Sequence, residues 1–152
     1  MWRSILAVLA GIFAGGFLVF LIEIPGMLMH PLPPGADMND VEVLRSHLEK
    51  APLGALVLVA IAWTLGPLVG SWLAATIAGR AFLGHGVIVG MFFLAADVLN
   101  IRSLPHPAWL NVVGVVAPIL ASWLGAFLAQ RSAVRRPSGP QPSDLREKNM
   151  AC

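Results

Sequence analysis

Four runs of apolar residues, each long enough to cross a bilayer and nearly free of charge, constrain this chain more than any other feature. The hydrocarbon core of a membrane is about 30 Å thick and takes roughly 20 apolar residues as a helix. Four segments reach that length: Ser4 to Leu28, Leu53 to Gly79, Gly84 to Ile101 and Trp109 to Ala129. In hydrocarbon every backbone N–H and C=O must find its partner within the protein, so each run is expected as a helix. They are far longer than the roughly 10 alternating residues of a barrel strand. A cleavable signal peptide is the competing reading of the first run, since Arg3 precedes it. Its length, the lack of an A-x-A-like site behind it and the three later runs favour an uncleaved helix.

Composition agrees. Of 152 residues, 57% are apolar and 12% charged, whereas a soluble domain carries about 25% charged residues. A mean hydropathy of +0.78 excludes a disordered chain, which needs low hydrophobicity and high net charge. The formal net charge of +2 is too small to point to nucleic acid. A single cysteine, Cys152, excludes an intrachain disulfide and a cysteine-based metal cage.

Lysine and arginine set the orientation, because cytoplasmic loops carry their excess. One side of the four runs holds Arg3, Arg80, Arg131, Arg135, Arg136, Arg146 and Lys148; the other holds Arg45, Lys50 and Arg102. Seven against three predicts cytoplasmic termini in a multi-pass cell-membrane protein. Trp2 and Trp109 stand where interfacial aromatics belong. Residues 1–131 thus read as the membrane domain. Residues 132–152, rich in Pro, Ser, Gly and charge, read as a disordered cytoplasmic tail.

The loop after the first run opens with His30-Pro31-Leu32-Pro33-Pro34-Gly35, which cannot be helical. Beyond it, Asn39 with Glu42 three residues on has the form of a capping box. Val41, Leu44 and Leu48 then share one face, predicting a short amphipathic helix that lies on the outer surface or plugs the bundle.

An internal repeat is the most specific signal within the runs. At an offset of 51, Pro67, Ser71, Trp72, Leu73, Ala75, Ala78 and Arg80 recur as Pro118, Ser122, Trp123, Leu124, Ala126, Ala129 and Arg131. A duplicated helical hairpin accounts for this, with chance likeness between apolar helices as the competitor. Small residues four apart, Gly11/Gly15, Gly66/Gly70, Gly86/Gly90 and Ala121/Gly125, are expected as packing seams. Pro67 and Pro118 are expected to kink their helices, and Trp72 and Trp123 to pack in the core. A homo-oligomer or a larger membrane complex is compatible with these seams, and no cofactor is implied.

Ionisable groups within a span are costly, about 2.5–3.5 kcal/mol at a helix centre on insertion scales. Two occur, Glu23 and Asp97, both near the outer ends of their runs. Asn100 lies one turn beyond Asp97, and His30 and His106 occupy the adjoining loops. Glu23, His30, Asp97, Asn100 and His106 therefore form a candidate outward-facing vestibule for an ion, a proton or a small polar solute. The plainer alternative pairs Glu23 with Arg102 or a histidine and lets Asp97 hydrogen-bond a neighbour. Met27, Met29 and His30 would suit a soft metal, but two methionines and a histidine near a helix end more often pack. No catalytic motif is present: Gly70-Ser71-Trp72 lies mid-helix, outside the strand–turn–helix setting of a nucleophile elbow, and no H-E-x-x-H occurs. Chemistry on lipid headgroups at the outer surface is the one enzymatic reading left open. An accessory or structural role, with the outer loop meeting a partner, is the other class.

Glu23, Gly26, the His30-to-Gly35 run, Asp37 and Asp40 stand together with Leu53-Gly54-Ala55-Leu56, Ala62-Trp63 and Gly70-Ser71-Trp72-Leu73-Ala74-Ala75. Through them the chain resembles a group of small four-span bacterial inner-membrane proteins of unknown function. The resemblance covers residues 1–131 and implies a bacterial cytoplasmic membrane, but no activity.

Overall fold

The computed structural model describes residues 2–37 and 39–135. Five helices follow one another: α1 (Trp2–Met29), α2 (Val41–Glu49), α3 (Leu53–Ala78), α4 (Phe82–Ser103) and α5 (Ala108–Val134). All but α2 are long and apolar enough to cross a membrane, and they form an all-α bundle. α5 runs to Val134, past the expected end of its span at Ala129. The rest of the expected tail lies outside the described residues.

Because the long helices alternate in direction, α1 and α5 begin and end the bundle at one proximal end, and α2 lies at the distal end. Proximally, α3 stops at Gly79, whose left-handed conformation (φ 66°) closes the helix with an N–H bond to the Ala75 carbonyl. Two residues later α4 begins. The Arg3 guanidinium donates to the Ile77 carbonyl at 2.9 Å, tying the first turn of α1 to the last of α3. Distally, the prolines Pro31, Pro33 and Pro34 keep the chain out of helix until Asp40. Asp40, not Asn39, caps α2: its carboxylate accepts from Glu42 N at 2.9 Å and Val43 N at 3.4 Å. Asn39 instead donates to Asp37 at 2.8 Å.

Lipid is as apolar as leucine, so helices in a membrane gain from close packing rather than from hydrophobic burial. α1 and α3 meet backbone to backbone. A Cβ added at Gly15 would stand 2.5 Å from the Gly66 carbonyl oxygen, and one added at Gly70 would stand 2.6 Å from that of Gly11. On the other hairpin, a Cβ at Gly90 would lie 2.6 Å from Ser122 Oγ and one at Gly86 3.2 Å from the Ser122 carbonyl oxygen. Gly125 presses on the Leu68 backbone and joins α5 to α3, with Ala121 buried on the same helix. The recurring positions of the repeat fall on these stripes: Pro67 and Pro118, Ser71 and Ser122, Ala75 and Ala126, and Ala78 and Ala129 are all buried. The relation between the halves is not a strict two-fold, since α4 packs against α3 as well as α5 whereas α1 packs mainly on α3.

Trp72 and Trp123, expected in the core, turn outward and are 40% and 56% exposed. They sit one residue beyond the buried serines, a step of about 100° around the helix, which takes them off the packing stripe. Trp123 instead stacks on Phe127 at 5.4 Å, and the Arg131 guanidinium covers Phe127 at 4.4 Å.

Side-chain size changes along the bundle axis. The proximal layer is Ala75, Ala126 and Ala129; the distal layer is Leu56, Trp63 and Leu110. Alanines fill the proximal layer, and two leucines and a tryptophan fill the distal one. Replacing Gly66 by Leu forces α1 off α3 and is expected to cost about 1–3 kcal/mol or more. Gly16→Leu, where an added Cβ meets nothing within 4 Å, leaves stability unchanged. Thermal melts of the two variants in detergent check this, and equal effects would contradict the seam.

Candidate functional site

A cavity of about 280 Å³ lies at the distal end, open at its mouth and bounded by all five helices or their connections. Its floor is Trp63, buried to 5% exposure, ten residues into α3. At 1.5 Å per residue that is about 15 Å below the start of the helix, roughly halfway through a bilayer core. Leu56, Val59 and Ala55 on the same helix build one wall; Met27 and Gly26 of α1 face them.

Glu23 is the carboxylate that lines this cavity. It is half-buried, one and a half turns below the end of α1. Pro25 does not break α1, and the His30 N–H still reaches the Gly26 carbonyl at 3.1 Å. The helical path therefore continues long enough to put His30 above Glu23, about two turns on. Among the described residues, the one ion pair is Arg45–Glu42 at 3.9 Å, on the exposed face of α2. Neither Glu23 nor Arg102 takes part in it, and Arg102 belongs to the last turn of α4 rather than to a loop.

Asp97 does not line the cavity but stands within electrostatic range of Glu23. The residue is 5% exposed, and its Oδ2 is buried without a hydrogen-bond partner. Such a group costs about 1–3 kcal/mol or more when left unpaired. Asn100, one turn further along α4, does reach the cavity. Asn111, at the start of α5, donates to the His106 carbonyl at 3.4 Å while its own Oδ1 is buried without a partner.

His30 and His106 both line the cavity, and a third histidine, His47 of α2, joins them. His30 and His47 stack at 3.9 Å with planes 16° apart. Each Nε2 donates to the other residue's carbonyl, at 3.0 and 3.1 Å. A carbonyl can only accept, so both Nε2 atoms carry hydrogen. His106 Nδ1 donates to the Leu104 carbonyl at 2.9 Å, leaving Nε2 as its acceptor, and the ring leans on Trp63 at 5.6 Å. Thus four of the five residues expected from sequence share one cavity, and Asp97 lies beside it. His47 is not among those five, although it stands three residues after Leu44 and beside Leu48 on the apolar face of α2, the position that turns toward the bundle.

Among the described residues no group of three or more His, Cys, Asp or Glu side chains is placed to hold a metal ion. Comparison of the chain with protein-family models, with curated proteins and with solved structures found no match.

The reciprocal histidine pair is the main polar tie between α2 and the bundle. His47→Ala removes the bond donated by its own ring, worth about 0.5–1.5 kcal/mol, and the ring stack, while the His47 carbonyl that accepts from His30 stays in place. Amide exchange in α2 is expected to speed severalfold and that in α3 to stay unchanged. Hydrogen exchange followed by mass spectrometry measures both helices in one experiment.

Proposed function

We propose that this chain is a multi-pass protein of a bacterial inner membrane, with cytoplasmic termini, whose outward vestibule receives a small solute, an ion or a proton. The observation that carries the reading is the lining of the cavity. It opens at the end of the bundle opposite the termini and takes in Glu23, a carboxylate within the span of α1, and the indole of Trp63, which lies against the His106 ring. A helix bundle serving only as a scaffold has no use for a half-buried carboxylate on a cavity wall or for Asp97 beside it, since both are costly in a membrane. The excess of Arg at the proximal end supports the orientation. A bare accessory role, with α2 as a docking element, is less well supported, because α2 turns its apolar face and His47 to the cavity and presents Glu42, Arg45 and Glu49 outward.

Cysteine accessibility tests orientation and openness together. With Cys152 replaced by Ser, Asn100→Cys is expected to react in intact cells with a membrane-impermeant maleimide, whereas Ile119→Cys, on an exposed apolar face, does not. Labelling of Asn100→Cys only in inside-out vesicles would reverse the orientation. No labelling from either side would close the vestibule and remove the reading.

A further inference from the structure

We infer that the vestibule's ligand is a small lipophilic organic cation carrying one positive charge, an inference that rests on the proposed function and names the substrate class of the same site. Three features of the cavity select it. The first is sign. Glu23 is its carboxylate, and no Lys or Arg lines it among the described residues. An anion would find no counter-charge there, whereas a cation would find one on a wall of low dielectric, where Coulombic attraction is strongest.

The second is the body of the site. Half of the lining residues are Leu, Val, Ala or Met, and the floor is the indole of Trp63 with the His106 ring against it. An aromatic face attracts a cation by about 0.5–2 kcal/mol, the more so when water is excluded, and tryptophan does so best. A hydrated inorganic ion gains nothing from aliphatic walls, and no metal-ligating group is assembled among the described residues. An organic cation uses both the charge and the apolar surface.

The third is size and valence. At about 280 Å³ the cavity lies at the lower edge of small-molecule sites, about 300–1,000 Å³. One lining carboxylate matches one charge. His30, His47 and His106 each spend one ring nitrogen on a backbone carbonyl. Asp97, nine-tenths buried and without a partner on Oδ2, is a second carboxyl group close to Glu23.

Benzyltrimethylammonium and neopentylbenzene have the same shape and differ by the charge. Equilibrium dialysis of each, radiolabelled, against the full-length protein in phosphatidylcholine nanodiscs reads the preference without an anionic bilayer collecting the cation. The cation is expected to bind at least about tenfold more tightly than the hydrocarbon. Glu23→Gln is expected to abolish that preference while leaving neopentylbenzene binding unchanged, and Trp63→Leu to weaken the cation severalfold. The comparison on the unaltered protein needs no variant to fold. Equal binding of the two compounds would overturn the cation and leave the vestibule as an apolar site. Binding of neither, with Asn100→Cys still labelled from outside, would overturn the organic ligand while an open vestibule stands. If Asn100→Cys is not labelled either, the proposed function fails as well.

Discussion

Everything in this bundle depends on how closely α1 can approach α3. Two helices in lipid have no hydrophobic reason to meet, because their side chains are equally content against acyl chains. Contact has to be made by atoms that fit, and Gly11, Gly15, Gly66 and Gly70 let the two backbones touch through carbonyl oxygens. That contact fixes the axis of α1 and lets Phe93 of α4 reach over Gly15 and Gly70. It also sets the angle at which the first hairpin opens toward the distal end.

The site is a product of that geometry rather than of a dedicated loop. Alanines pack one end and Leu56, Trp63 and Leu110 the other, and the cavity at the second end is floored by an indole and walled largely by aliphatic groups. Glu23 then needs only its place in α1 to face the opening. α2 comes back over the mouth because the proline-rich segment before it cannot be helical and because His30 and His47 clasp each other.

Most of the architecture was legible because membrane helices are written in long runs. Four spans, a short fifth helix and a shared depth for Glu23 and Asp97 follow from counting residues at 1.5 Å each. What periodicity could not supply was rotation. Trp72 and Trp123 follow the buried serines by one residue and so face outward, a distinction of about 100° that runs of uniform hydrophobicity do not encode. The same gap hid His47, since a histidine on a nine-residue helix is readable only once the helix's partner is known. Asp97 looked equivalent to Glu23 in sequence, yet one lines the cavity and the other is buried beside it. The cap of α2 moved from Asn39 to Asp40: the Asp40 carboxylate accepts from Glu42 N and Val43 N, while Asn39 is held in the preceding turn by donating to Asp37.

The taper from alanine to tryptophan also decides what kind of traffic the molecule permits. The proximal half is closed by backbone contact and by the Arg3 tie to Ile77, while the distal half is hollow. A solute received by the proposed vestibule would enter and leave by its distal mouth. Passage across the membrane would require the glycine seam itself to part, and a seam in which each backbone rests directly on the other separates as a unit or not at all. The residues that make the fold compact are therefore the same ones that would have to yield for it to transport.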